Sequence, residues 1–402
     1  MRVLLIAQHF TPERTAAPLR LLPLARGLAR RGHAVEVVCA VPNHPEGVIH
    51  DEYRGSALVR RRFNGLDVSY VWVKATRSKD PRRRLLTFAT FAAGATLVGL
   101  FSQRPSVIFA SSPPLPAGAV GALLARRFRV PWVLDVRDLW VDAAGSLGVV
   151  RSGMVFRLAG RLERRLYADA AAITVPTDAF GHHIGDGVEG NKVHLLPNGA
   201  SEPGLSVGSQ EVNRHPLGLP DDRFVWTYAG NLGLSQGLDA AIGAAGRLGA
   251  GFQLLLLGDG ASRPRLETAA RKLPPGSVAF RDPVDPEQAA LYMRSSDALL
   301  VSLSKDPVAA KTVPAKLYDS CAVARPVVVA ASGEAQRLAE RQGIAIAVPP
   351  EDPEALADAV RTLRDRPGLG DQLADAGRRF AFANPREAHV GSLERLLLSL
   401  GK

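Results

Sequence analysis

The stretch Val313-Pro314-Ala315-Lys316-Leu317-Tyr318-Asp319 groups residue types that can grip a phosphate. Proline favours the first turn of a helix, where its missing N–H would have had no partner. Pro314 therefore reads as a helix start. The unpaired N–H groups of such a turn suit an anion such as a diphosphate, and Lys316 adds a full positive charge. A helix dipole contributes only ~0.3–1 kcal/mol at an exposed site, so the lysine and the N–H hydrogen bonds should dominate. Asp319 falls one turn after Ala315, which would aim its carboxylate from the same face toward the paired hydroxyls of a ribose. Two glycine-bearing turns could join this group. Tyr228-Ala229-Gly230-Asn231-Leu232-Gly233 closes an apolar run with glycines that let a ligand approach the backbone. Gly258-Asp259-Gly260 follows Leu254-Leu255-Leu256-Leu257, but Arg263 stands where G-x-G-x-x-G needs its third glycine. That turn stays open between a structural and a ligand-facing role.

Other chemistries find no footing. There is no G-x-x-x-x-G-K-S/T loop. His182 and His183 are adjacent, so on a helix they would point about 100° apart and could not easily share one ion. His44, His50 and His194 are scattered, which suits packing or surface roles, and no metal site is expected. Cys39 and Cys321 are too few and too distant for a disulfide framework or a zinc site. They read as buried thiols in a reducing, cytoplasmic compartment. The opening run Val3-Leu4-Leu5-Ile6-Ala7 reads as a buried strand rather than a signal peptide.

The elements that must carry these residues alternate. Arg2 to Ala7, Val35 to Ala40, Ser106 to Ala110, Trp132 to Val136 and Ala171 to Val175 read as strands, with a helix over Leu19 to Arg31. The alternation restarts with strands at Phe224 to Ala229, Gln253 to Leu257, Ala298 to Ser302 and Pro326 to Ala330. Helices fit at Gly237 to Leu248 and Glu287 to Arg294. This is α/β, with mostly parallel sheets covered on both faces. Ligands then sit beyond the carboxyl ends of the strands. A chain of 402 residues has room for two such domains. The polar, Gly/Ser/Pro-rich stretch from Ser201 to about Asp222 reads as their connection.

Charge divides the same way. Residues 1–200 hold 27 Lys/Arg against 15 Asp/Glu, whereas residues 201–402 hold 23 against 24. A basic half beside a neutral one suggests an anionic neighbour for the first. Its basic residues are not interleaved with aromatics on a recognisable module, so nucleic acid is not expected. Arg82-Arg83-Arg84 precede Leu85 to Phe101, a 17-residue apolar stretch. As a helix it would span roughly 25 Å, short of the ~30 Å hydrocarbon core. Spanning is excluded, and peripheral docking on an anionic membrane surface is expected.

Seven collinear motifs carry a resemblance. They are Gln8-His9-Phe10-Thr11-Pro12-Glu13, Pro42-Asn43-His44-Pro45-Glu46-Gly47, Ser111-Ser112-Pro113-Pro114 and Asp135-Val136-Arg137-Asp138-Leu139-Trp140. Then follow Leu196-Pro197-Asn198-Gly199, Tyr228-Ala229-Gly230-Asn231 with Gln236-Gly237-Leu238, and Val313 to Tyr318. Together these resemble retaining family-4 glycosyltransferases, in the branch that includes fucosaminyltransferases of surface-polysaccharide assembly.

The resemblance implies the GT-B fold, two Rossmann-like parallel-sheet domains facing across a cleft. An acceptor-side domain over residues 1–200, with 381–402 crossing back to it, would precede a nucleotide-sugar domain over 201–380. Donor contacts would come from Gly230, Asn231, Gly258, Asp259, Gly260, Pro314, Lys316, Asp319, Gly333 and Glu334. Pro12, Arg20, Ser111, Ser112, Pro113, Arg137 and Asp138 would line the acceptor side. The donor would be a nucleotide-diphosphate sugar, UDP-linked, and the acceptor a lipid-linked or surface-polysaccharide saccharide, without cofactor. In the family's commonly proposed front-face route, the departing diphosphate itself accepts the acceptor's proton. Lys316, with the N–H of Gly230 or Asn231, would stabilise that diphosphate, while Asp138 and Glu334 compete to support the cationic sugar carbon. The chain departs from the family where two glutamates usually stand eight positions apart, having Lys311 and Asp319. A nucleotide-sugar epimerase, or a non-catalytic partner in polysaccharide assembly, are the alternatives.

Overall fold

The computed structural model describes every residue except Arg14, Pro45, Lys79, residues 147–152, 186–189 and 208–212, and Lys402. Pro45 of the second loop motif lies outside the described residues, as does the side chain of Arg82. The chain divides into two compact units, Met1–Pro197 with Arg386–Lys402, and Asn198–Pro385.

Among the described residues, the first unit forms an eight-stranded sheet. Its strands are β1 (Arg2–Ile6), β2 (Ala34–Ala40), β3 (Leu58–Phe63), β4 (Leu66–Val71), β5 (Val107–Ser112), β6 (Trp132–Val136), β7 (Ala172–Val175) and β8 (Val193–Leu195). Their order is β3-β4-β2-β1-β5-β6-β7-β8, parallel throughout except for the β3–β4 hairpin. Val3 to Ile6 are all buried, as expected of a parallel strand covered on both faces. The covering helices are α1 (Ala16–Arg30), α2 (Pro81–Leu100), α3 (Leu115–Phe128), α4 (Trp140–Ser146), α5 (Met154–Asp169) and α6 (Asp178–Gly185).

The hairpin is absent from the sequence reading. Its edge strand carries Arg60-Arg61-Arg62, which hides the apolar alternation, although charge on an edge is what keeps it from pairing with another chain. Its turn is Asn64-Gly65, with φ of 50° and 80°, the pair a two-residue hairpin loop prefers.

Among the described residues, the second unit forms a sheet of six parallel strands. These are β9 (Phe224–Ala229), β10 (Phe252–Leu257), β11 (Val278–Arg281), β12 (Ala298–Ser302), β13 (Val327–Ala330) and β14 (Ala345–Val348), in the order β11-β10-β9-β12-β13-β14. Its helices begin with α7 (Glu202–Val207), α8 (Asp239–Leu248), α9 (Arg263–Ala270) and α10 (Pro286–Ser295). They continue with α11 (Ala315–Ala322), α12 (Glu334–Gln342), α13 (Pro353–Asp365) and α14 (Pro367–Ala383). One core cluster gathers Trp226, Leu254, Leu256 and Val360, and another gathers Val301, Leu317, Cys321 and Val329.

The stretch read as a loose connection belongs to this second unit, which corrects the reading. It holds α7 and a short turn at His215–Leu217. Arg214 pins it by bonding the Ser295 carbonyl at 2.9 Å and the Asp297 carboxylate at 2.6 Å.

The last helix, α15 (Val390–Leu400), packs on α1 of the first unit. There Glu394 accepts from Arg31 at 2.8 Å and meets His33 Nε2 at 2.7 Å. Cys39 and Cys321 are buried free thiols. Among the described residues, no helix is long and apolar enough to cross a membrane.

Candidate functional site

Because the strands of each sheet are parallel, apart from edge strand β3, their carboxyl ends share one rim, and the turns beyond them gather there. In the second unit this rim holds the turns after β9, β10 and β13 and the opening of α11. Pro314 is the extended residue that caps α11, and Lys316 is the second residue of that helix. The Lys316 ammonium donates to the Tyr228 hydroxyl, lies 3.3 Å from Gln236 Oε1 and sits 4.0 Å from the centroid of the Tyr228 ring. The side chain as a whole is half-buried. Desolvation of its charged end lowers the Lys316 pKa to about 7, and burial pushes the Tyr228 phenol up. A desolvated ammonium with only neutral partners would gain from an anion.

Gly230 lies beside that ammonium, with φ +134°; a Cβ there would stand 3.2 Å from Lys316 Nζ. A Cβ on Gly258, at φ +140°, would lie 2.1 Å from the Gly230 carbonyl oxygen. A Cβ on Gly260 would come within 2.5 Å of the Leu232 carbonyl group. Leu232 N–H donates to Asp259 O at 2.8 Å, which locks the two turns together. Gly258 and Gly260 are thus required by backbone packing, and Asp259 and Asn231 are exposed on top of it.

Two expectations need correction here. The Gly230 N–H is already bonded to Leu257 O at 2.9 Å, so it is committed to the turn rather than to an anion. Asp319 is half-buried, and its Oδ1 accepts the Ser201 N–H at 2.8 Å, at the start of α7, so that oxygen serves the fold rather than a ribose. A backbone amide needing a partner won over the spacing argument.

Gly333 caps α12 against the carbonyl of Ala310, and Glu334 is the first residue of that helix. Glu334 Oε1 accepts from Arg337 at 2.6 Å. Tyr228 and Gln236, the partners of Lys316, stand in the motifs of the sequence but were given no role there. Tyr228, next to the end of β9, offered the signal, since a tyrosine buried at a rim must place its hydroxyl on a polar group.

In the first unit the rim is organised by Asp135, which is fully buried. Its Oδ1 accepts from Arg20 at 3.2 Å and Thr174 at 2.9 Å, and its Oδ2 accepts from Ser111 at 2.9 Å. Arg20 also bonds the Leu196 and Pro197 carbonyls at 2.7 and 3.0 Å. Arg137 donates to Ser111 Oγ and Pro113 O, both at 2.8 Å. Desolvation lowers the Arg137 pKa to about 10, against the pull of Asp135.

Arg20, Ser111 and Ser112, expected along an acceptor surface, are therefore buried parts of the framework. A buried charge is tolerated only when paired and hydrogen-bonded, and Arg20 and Ser111 supply that pairing to Asp135. Pro12 and Asp138 are exposed at the same rim. Partial desolvation raises the Asp138 carboxyl although one flank stays open to water; Arg137 and the Leu139 N–H pull it back.

Residues 17–199 match the glycosyl transferase 4-like domain, and residues 223–366 match the glycosyl transferases of group 1. The chain joins two glycosyltransferase domains. The protein of Escherichia coli K12 named colanic acid biosynthesis glycosyl transferase WcaI is 29% identical over 378 residues, spanning 90% of this chain and 91% of its own. Sucrose-phosphate synthase of Thermosynechococcus elongatus superposes with a TM-score of 0.77 at 21% identity, over 99% of each chain. Anabaena HepE, solved with UDP-glucose, does so with a TM-score of 0.75 at 16% identity, over 100% of each. The fold is GT-B, two parallel-sheet α/β domains. Lys316, Tyr228 and both glycine turns lie in the group 1 domain, and the Asp135 network lies in the 4-like domain with its Arg20, Ser111 and Arg137.

Proposed function

We propose that this glycosyltransferase moves a sugar from a UDP-linked donor to a lipid-linked or surface-polysaccharide acceptor, with retention at the anomeric carbon. One observation carries the donor side: a desolvated Lys316 ammonium, bonded among the described residues to neutral Tyr228 and Gln236, at the opening turn of α11. As the bond to the leaving diphosphate breaks, negative charge grows there, and fixed donors that need not reorganise stabilise it most. Lys316 and the first N–H groups of α11 supply them. Asn231 and Asp259, exposed on the adjoining turns, and Gly333-Glu334 at the start of α12 would contact the rest of the donor. Among the described residues Glu334 pairs with Arg337, an ion pair near the surface whose loss costs little. Its carboxylate, or that of Asp138, would support the cationic sugar carbon.

The names of relatives favour this reading: WcaI is named for colanic acid biosynthesis, and HepE was solved with UDP-glucose. The acceptor would meet the first unit at Pro12, Arg137 and Asp138. That unit would work at the cytoplasmic face of the membrane, docked peripherally through α2.

The decisive experiment is thermal shift against a panel of nucleotide sugars. A bound ligand stabilises the folded protein by about 2.7 kcal/mol at a hundredfold excess over Kd, and the melting temperature rises accordingly. A UDP-sugar should do so, and Lys316→Ala should erase the shift. A panel without any stabilising member would reject the donor site.

A further inference from the structure

One helix of the first unit exposes what a soluble surface has no use for. α5 buries Leu166 and Tyr167 near its end, but at its start Met154, Val155 and Leu158 are 70%, 62% and 53% exposed. Large apolar side chains grouped at the surface mark a place where something docks. Met154 and Leu158 stand one turn apart on an outward face, and exposed Arg161 and Arg165 continue that face along the helix. Arg157 and Arg164 flank it and are exposed as well.

These four arginines are set apart from others of the chain. Exposed Arg126, Arg265 and Arg361 each pair with an aspartate. Among the described residues none of the four on α5 is in an ion pair, and only Arg164 feels a carboxylate, that of Glu163. The acidic groups around them are already engaged. Asp169 accepts from Arg126 at 2.5 Å, Asp142 meets His183 Nε2 at 2.6 Å, and Glu163 bonds Tyr167. Burial pushes the Glu163 carboxyl up to about 7, which further thins the negative charge on this helix.

α5 belongs to a layer. A Cβ on Gly118 of α3 would lie 3.1 Å from Leu166 Cδ1 of α5, and a Cβ on Gly99 of α2 would clash with Leu124 of α3. Phe88 of α2 also meets Trp140 of α4 edge to face, with centroids 6.3 Å apart. Parallel strands make each crossover helix run back from the carboxyl-end rim. The starts of α2, α4 and α5 therefore lie at the rim that carries Pro12, Arg137 and Asp138.

We propose that α5 is a second lipid-docking element, in which Met154, Val155 and Leu158 enter the headgroup region of an anionic bilayer while Arg157, Arg161, Arg164 and Arg165 meet lipid phosphates. Apolar groups at one end of a helix and unpaired cations along the rest suit that interface. One contact through α2 would leave the unit free to roll on the surface, whereas a second across the layer fixes its orientation. The rim is then held at the headgroups, where the saccharide of a lipid-linked acceptor projects. A second copy of this chain is the poorer occupant, because a two-fold contact would set unpaired arginines against one another. The inference rests on the peripheral docking proposed above and adds the element that orients it.

The test uses the full chain and vesicles of phosphatidylcholine with or without phosphatidylglycerol. Cys39 and Cys321 are buried, so a polarity-sensitive thiol dye reacts with a cysteine placed on the surface. Dye on Leu158→Cys should shift to the blue with phosphatidylglycerol vesicles and not with phosphatidylcholine alone. Dye on Leu58→Cys, on the β3 edge, should be unmoved by either. Changing Arg157, Arg161, Arg164 and Arg165 together to Gln should weaken flotation with phosphatidylglycerol vesicles by about 10²–10³-fold. Met154→Ser with Leu158→Ser should weaken it by about tenfold or more, independently of charge. The replaced side chains are exposed and Gln is a good helix former, so the melting temperature should hold; Arg161→Gln with Arg165→Gln serves if four changes prove too many. A wild type that floats, with α5 variants that float equally and a silent dye at position 158, would overturn the role of α5 alone. A wild type that floats with neither vesicle would overturn the docking reading itself. Variants that alter the sedimentation of the free protein but not its flotation would make α5 a contact between copies and overturn the lipid assignment.

Discussion

At the scale of single residues, Lys316 makes the sharpest demand. Its lowered pKa means that the free enzyme gives up the ammonium's proton near neutrality. A diphosphate prefers the charged form, so binding above pH 7 must draw a proton from solvent. Each pH unit then costs up to 1.36 kcal/mol, about tenfold in affinity. UDP should therefore bind progressively more weakly from about pH 7 to 9, and Lys316→Met should bind weakly at every pH with that dependence gone. Calorimetry in buffers of different ionisation enthalpy checks both, since wild type should take up protons on binding and Lys316→Met should not. In turnover, Lys316→Ala should lower kcat by about 10²-fold or more, the usual cost of one donor to a developing oxyanion. Near-normal rates would reject its role.

The sequence made Lys316 legible because Pro314 marks the helix start, a local rule. Tyr228 and Gln236 were not, because they reach Lys316 across 88 and 80 positions. Spacing also could not show that Ser201 would claim Asp319, or that Asp135 would claim Arg20 and Ser111. Each of those depends on which buried polar group lacks a partner once the chain has folded. Likewise the Gly258-Asp259-Gly260 turn stayed ambiguous until the Gly230 carbonyl was seen against it.

At the scale of elements, buried parallel strands such as β1, β9 and β12 were legible, since short β-branched runs between turn residues have few other fates. The β3–β4 hairpin was not, because an exposed edge strand need not look apolar. The return of residues 381–402 to the first unit was expected from the resemblance alone, and the contact of α15 with α1 that it makes can be tested. Gly27 is inside α1, where alanine would normally gain about 1 kcal/mol of helix propensity. A Cβ there would meet Val390 Cγ2 at 2.4 Å and Cγ1 at 2.8 Å. Both methyls sit on a β-branched carbon with little rotamer freedom. Gly27→Ala should therefore destabilise the first unit by about 1–3 kcal/mol, the usual range for overpacking. Adding Val390→Ala should recover part of the loss, and calorimetric melting of the four-member cycle measures that coupling. Simple additivity of the two changes would mean the helices do not touch as described.

At the scale of the whole molecule, the first 200 residues carry the positive charge, and the first unit also carries exposed apolar side chains where a lone soluble domain gains nothing from them. On α2, Leu85, Leu86 and Leu97 are exposed, and Phe101 just beyond is 79% exposed. A groove of about 490 Å³ runs between α2 and α3, lined by Ala92, Ala93, Leu97, Leu100 and Leu123 among others. Arg83 and Arg84 are exposed at the start of α2. Apolar side chains with cations at one end match an anionic lipid surface better than water, because the leucines leave water while the arginines stay in it. Each basic residue near such a surface is worth about 1 kcal/mol, so Arg82, Arg83 and Arg84 changed together to Ala should weaken vesicle binding by about 10²-fold. Leu97→Ser with Phe101→Ser should weaken it independently, through lost apolar burial. The two sets differ in salt response. Charge contacts are screened, so wild-type flotation with phosphatidylglycerol vesicles should fall between 0.05 and 0.5 M salt, and the arginine variant should lose part of that dependence. The serine variant should bind less at every salt concentration with the dependence intact. Flotation that ignores both sets of changes would place the lipid-facing surface elsewhere, and the charge imbalance between the halves would then need another partner.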